Sequence, residues 1–169
     1  KAHHGNRPAQ ESRGLGDVYK RQFLKEREEL IEFWDGLDKG VFVLTGDLHN
    51  SFAIKITDNV YEFASGPHNS INHAPMKDEG GRPANGRFKY GPRACDIRWS
   101  SYAMEDIPRA NRTFPHYCVV HVNNVFNNPV ERNGERWFAF PHPQVIFLFH
   151  DAYTGALRYS ETFVLGLDK

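Results

Sequence analysis

Cysteine is scarce in this chain. Only Cys95 and Cys118 occur in 169 residues, too few for a disulfide framework, so the fold must rest on a hydrophobic core. Surplus charge is absent as well. Lys+Arg and Asp+Glu both number 21, which removes the electrostatic signature of a nucleic-acid binder or of a protein drawn to an anionic membrane surface. No apolar run approaches bilayer-spanning length, and the opening residues carry no signal-peptide-like apolar core. What the chain does have is apolar and aromatic material, 40% and 14% of its residues, enough for one globular domain with a sizeable core.

The first stretch reads differently from the rest. "SRGLGDVYKRQ", residues 12–22, resembles the translation of a transposase-type sequencing adapter, matched over its whole length. Residues 1–22 are therefore set apart from the fold as a non-native leader, as a cloning scar would be, and His3 and His4 with them. Setting them apart removes five Lys/Arg and two Asp/Glu, leaving sixteen and nineteen and a net charge of −3 over 23–169. The alternative is an ordinary polar leader.

From Phe23 onward the pattern is that of an α/β (α+β) chain, β-rich toward its C-terminus, with one clear helix and six or seven strands. "FLKEREELIEFWDGLD", 23–38, places Leu24, Leu30, Ile31, Trp34 and Leu37 near helical spacing, with charges on the other face. Gly40 is a plausible stop, and the apolar run "VFVLTGD" then reads as a buried strand delivered by an α/β crossover. "SFAIKIT" alternates Phe52, Ile54 and Ile56, a strand with one face inward; Asp58-Asn59 turns into the strand "VYEFAS". Gly66 to about Pro92 loses all periodicity and reads as a long loop, functional or disordered. "YCVVHVNNV" is strand-like and "NNPVERNGE" turn-forming; "RWFAF" and "QVIFLFH" follow as strands, and "DAYTGA" turns into "LRYSETFVL", closing a hairpin.

The chemistry-bearing motif is Gly46-Asp47-Leu48-His49-Asn50, where the apolar run stops. If the chain stays extended past Gly46, Asp47 and His49 point the same way. Glycine there would allow a close backbone approach or an unusual φ. An acid oxygen and an imidazole nitrogen together suit Fe, Mn or Zn better than a pure calcium cage. If Val41–Thr45 is parallel to its neighbours, the motif sits at the carboxyl end of a sheet, where open α/β folds bind ligands. The bland alternative is that Asp47 caps a turn and His49 is a satisfied polar residue.

The stretch 42–70 resembles the C-terminal part of the alkaline phosphatase D (PhoD-like) branch of the calcineurin-like metallophosphoesterases. The likeness lies in Gly-Asp-x-His ending a strand and in the hairpin and Ser/Gly/Pro-rich turn after it. It extends loosely through "CDIRWSSY" and "FLFHDAYTGALRYSETF". The wider superfamily has Gly-His-x-His here, and the PhoD-like branch accepts Asp at the position of Asp47. The resemblance implies the C-terminal half of an αββα sandwich over 23–169. It implies Asp47, His49 and, more weakly, Asn50 as ligands of two or more divalent or trivalent ions (Fe, Mn, Zn or Ca), with His49 also orienting the attacking hydroxide. The activity it implies is hydrolysis of a small-molecule phosphate mono- or diester. The family's earlier motifs, D-x-H, G-D-x-x-D and N-H-[DE], do not precede Gly46. The missing N-terminal half of the same domain is therefore the expected partner, and this fragment alone is expected to be inactive, with runs 41–44 and 145–149 left as edges or faces wanting cover. The alternative is a β-rich binding or accessory module that holds an ion or ligand at Asp47 and His49 without turnover.

Other polar residues carry weaker signals. His68 and Asn69, with Asn72 and His73, cluster in the long loop and could reach the same mouth; a solvated loop explains them as well. Arg98 could hold a substrate phosphate bidentately, or form a surface ion pair. His121 reads as an outward-facing strand residue, His142 as part of a Pro-flanked turn, and Asp151 as a turn cap. Neither cysteine has a base beside it in sequence, which argues against a nucleophile.

Overall fold

In a computed structural model the described residues are 13–46, 49–66, 83–103, 115–124, 130–132, 135–137 and 142–164, with backbone alone described for 13–22, 130–132 and 135–137. They form one helix, α1 (Arg13–Asp35), and ten strands. The chain is thus β-rich with a single helix, an α+β, mostly-sheet fold. The strands are β1 (Val41–Thr45), β2 (Phe52–Lys55), β3 (Val60–Ala64), β4 (Gly86–Tyr90), β5 (Arg93–Ser100), β6 (His116–Asn123), β7 (Val130–Arg132), β8 (Glu135–Trp137), β9 (Gln144–Asp151) and β10 (Leu157–Val164). A five-stranded sheet runs β1-β3-β2-β5-β4, a three-stranded sheet β10-β9-β6, and β7 and β8 pair as a short hairpin. No helix among the described residues is long and apolar enough to cross a membrane.

The two larger sheets pack face to face through an aromatic core. Ala53, Phe63 and Trp99 of the first sheet meet Phe147 and Phe149 of the second, with Phe42, Tyr61, Tyr159 and Phe163 packed around them. Phe63 and Phe147 stack with ring centroids 3.6 Å apart and planes at 5°. Each such ring contributes on the order of 2–3 kcal/mol through removal from water. The other face of the first sheet carries a second cluster of Phe52, Ile54, Ala64, Cys95 and Ile97. Helix α1 is tied to this layer at two places. Glu28 pairs with Arg27 and Arg93, and Arg27 donates to the Tyr90 carbonyl at 3.2 Å. Farther along, Asp35 accepts from the Thr57 hydroxyl at 2.5 Å, and its carbonyl from the Asn59 amide at 3.3 Å.

Several expectations change. The apolar face of α1 is split: Ile31 is buried and Leu24 and Trp34 half-buried, whereas Leu30 and Leu37 face solvent, because a helix lying on a sheet by one narrow stripe covers only i, i+3, i+4 and i+7. The helix also runs back through Arg13 into the adapter-like segment. β2 is buried on both faces, since Ala53 points into the aromatic core while Phe52 and Ile54 serve the other cluster. β1 is an edge strand of the described sheet, with Leu44 62% exposed. Run 145–149 is no edge, for β9 is central in its sheet.

The expected loop from Gly66 to Pro92 contains β4, and β4 and β5 form a hairpin through Gly91-Pro92. Gly91 has φ +64°, the left-handed value that favours glycine at the first position of a two-residue hairpin link. The turn-forming stretch "NNPVERNGE" likewise contributes β7 and the start of β8, and "RWFAF" enters β8 only through Trp137 among the described residues.

Candidate functional site

Strand β1 runs parallel to β3, with Thr45 opposite Ala64, so the condition that places the Gly46–Asn50 motif at a carboxyl strand end is met. From Thr45 the chain passes over the end of β3 to enter β2, which pairs antiparallel on β3's far side. The motif therefore belongs to the connection, or arc, that joins β1 to β2 on the two sides of β3. β1 stops at Thr45, and His49-Asn50 lie in a bend. Alternation of strand faces therefore does not set the direction of His49. Glycine at 46 is not sterically required either, since an added Cβ would come no nearer than 3.9 Å to the Ser65 carbonyl, an ordinary contact.

Hydrogen bonds fix the far side of the arc. Ser51 N–H donates to Ser101 Oγ at 3.1 Å and Ser101 N–H returns to the Ser51 carbonyl at 2.8 Å. Gly66 N–H donates to Ser51 Oγ at 2.9 Å, and Ser65 N–H to the Thr45 carbonyl at 3.1 Å. Ser65 Oγ reaches across to the His116 carbonyl at 3.3 Å, joining the two sheets at this pole. Ser100 Oγ donates to the Ala84 carbonyl at 2.5 Å.

The buried polar and charged residues among those described are Asn50, Ser51, Ser100, Ser101, His116 and Asp151. All lie at this one pole: Phe52 registers with Ser100, and His116 with Asp151. Burying polar groups is costly unless they are hydrogen-bonded, and the bonds made by Ser51, Ser100, Ser101 and Asp151 offset that cost at this sheet end.

Asp151 shows how this works. Its Oδ1 accepts from the N–H groups of Tyr153 and Thr154 at 2.9 and 3.0 Å, and its Oδ2 from Arg158 at 3.2 Å. Burial pushes its carboxyl pKa up, but the backbone donors of Thr154 and Tyr153 and the Arg158 guanidinium outweigh this and hold it below the ordinary value. Asp151 is thus a turn cap, as its place in the sequence suggests.

The motif residues divide. His49 is half-buried, Asn50 is fully buried, and Asp47 lies outside the described residues, as do His68, Asn69, Asn72 and His73. Arg98 is committed to Glu161 of β10 at 3.3 Å, the ion-pair alternative. It also occupies a β-bulge: Ala53 pairs with Trp99 and the next β2 residue, Ile54, with Ile97, skipping Arg98. The extra residue reverses the alternation, so that Ile97 faces the outer cluster and Trp99 the aromatic core. Arg98 therefore has a structural part that its sequence did not announce. His121 is exposed, and His142 is exposed in its turn. Burial pushes the Cys118 thiol up to about 11 and raises that of Cys95, so neither is a nucleophile at neutral pH.

Sequence reading missed Ser51, Ser100, Ser101 and His116. The available signal was small hydroxyl residues at strand boundaries, in "HNSF" and "WSSY", but serines at strand ends are too common to single out.

Among the described residues no three His, Cys, Asp or Glu side chains are grouped closely enough to hold a metal ion. Together with a fully buried Asn50, this means that the described part of the chain does not by itself make up a metal centre. Set against known proteins, the chain matches no family model, no curated protein and no solved structure.

Proposed function

We propose that this chain supplies the final ligand-bearing segment of a metal-dependent phosphoesterase of the PhoD-like kind, whose remaining ligands come from an N-terminal half. The observation that carries the proposal is the gathering of buried polarity at one pole, where the connection bearing Gly46, His49 and Asn50 leaves the carboxyl end of β1 beside that of β3. A sheet end tied by the hydrogen bonds among Ser51, Gly66 and Ser101 suits a site whose parts must hold their geometry to within fractions of an ångström. In the complete site, metal ions would supply a hydroxide at neutral pH and offset charge on the phosphoryl oxygens. Asp47 and His49 would contribute ligands, and the substrate would be a phosphate mono- or diester.

The corollary is that the chain alone turns nothing over, because a partial ligand set cannot hold two metals in catalytic geometry. Hydrolysis of bis(p-nitrophenyl) phosphate with added Mn, Fe or Ca tests both statements. The chain by itself should match its Asp47→Ala control. In a longer chain that carries the earlier motifs, Asp47→Ala or His49→Ala should each lower turnover by about two to three orders of magnitude. Metal-dependent turnover by the lone chain, or full activity of the long variants, contradicts the proposal.

A further inference from the structure

Among the described residues, the pole opposite the arc forms a cleft. There the starts of β1 and β9, the ends of β6 and β10, and the β2–β3 turn surround a cleft of about 510 Å³ between the two sheets. That volume falls within the range of small-molecule sites. Its floor is aromatic. Phe42, Tyr61 and Phe163 touch one another, with centroids 6.2 Å apart for Phe42 and Tyr61, 4.7 Å for Phe42 and Phe163, and 4.6 Å for Tyr61 and Phe163.

Amides and balanced charge make up the rim. Asn123, Asn124 and Gln144 come from the second sheet's end, while Asp38, Lys39 and Asp58 come from the first layer. Asp58 is paired with Lys55 at 2.7 Å, and Asp38 and Lys39 bring one charge of each sign. Such a rim offers no net field to an anion or a cation. An amide presents both a donor and an acceptor, and so matches a ligand whose edge does the same. Asp38 stands at φ +49°, a left-handed value that Asp adopts more readily than most residues, in the turn that follows α1.

We propose that this cleft binds a neutral, hydroxyl-rich ring, a saccharide unit, with its apolar face on the Phe42–Tyr61–Phe163 floor and its hydroxyls toward the rim amides. The site is separate from the arc at the other pole and does not depend on the phosphoesterase reading.

The test is an amide-detected NMR titration of the full chain with methyl glucoside, methyl galactoside and N-acetylglucosamine. Inorganic phosphate and tetramethylammonium serve as the charged comparisons. At least one saccharide should give saturable shifts confined to the cleft, on Gln144, Asn123 and Asn124, with a millimolar Kd. Gln144→Ala, at the rim, should weaken binding about fivefold without changing the thermal midpoint, as expected for loss of one or two neutral hydrogen bonds. Tyr61→Leu, which leaves an apolar side chain in the floor, should abolish it. The proposal is overturned if no saccharide produces saturable shifts from the folded chain, if Gln144→Ala leaves the affinity unchanged, or if phosphate or tetramethylammonium occupies the cleft instead.

Discussion

Asp151 is the residue whose chemistry can be checked most simply. Its carboxylate is fully enclosed and serves two backbone N–H groups and Arg158, so its ionised form belongs to the folded state. Its folded pKa lies below the unfolded value of about 3.9, so the stabilisation is complete above that range and is lost as pH falls through the lower folded value. Asp151→Asn should therefore destabilise the chain by about 2 kcal/mol at neutral pH and by much less near pH 2, as measured by denaturant unfolding at the two pH values. A cost that does not change with pH would show that the carboxylate's charge is not what matters there. The position was legible in the sequence as a turn cap. Its burial was not, because that depends on β6 pairing beside β9, more than thirty residues away in the chain.

At the scale of elements, β1 and α1 leave apolar surface in water. β1 is an edge strand of the described sheet and shows no Lys, Pro or bulge of the kind that protects edges, and its Leu44 is 62% exposed. Phe33 of α1 is 64% exposed, as is most of Phe23. The ends of α1 also carry the wrong charges for its dipole, with no acid in the first turn and no base in the last. Exposed edges and patches of this kind favour association. Light scattering should show concentration-dependent self-association, reduced by Leu44→Lys together with Phe33→Lys. A monodisperse monomer at high concentration would contradict this.

The strands with dense β-branched and aromatic runs, β1, β2, β3, β6, β9 and β10, were readable from the sequence by composition and run length. β4 was not, since the Phe88/Tyr90 alternation in "GRFKY" is short and sits inside a Gly- and Pro-rich stretch, and the strand buries only Phe88 in part. The bulge at Arg98 was equally hidden. Without it, alternation assigns Ile97 and Trp99 to one face, and the structure places them on opposite faces.

On the scale of the whole molecule, two facing sheets with a helix on one outer layer build a sandwich with two unlike poles. One gathers buried polarity where the Gly46–Asn50 arc leaves β1; the other forms an aromatic-floored cleft. The first was legible as a motif, since glycine, acid and imidazole at the end of an apolar run stand out in any sequence. The second was not, because Phe42, Tyr61 and Phe163 converge only when strands from both sheets are brought together.

If Asp47 and His49 are the last ligands of a site begun elsewhere in the same protein, sequencing the source DNA upstream of the codon for Phe23 will reveal the rest of that site. The reading frame should continue upstream into D-x-H, G-D-x-x-D and N-H-[DE] motifs in place of residues 1–22. A source gene that truly encodes 1–22, or whose frame stops before Phe23, would contradict that reading and leave the arc as the binding element of a small β-rich module.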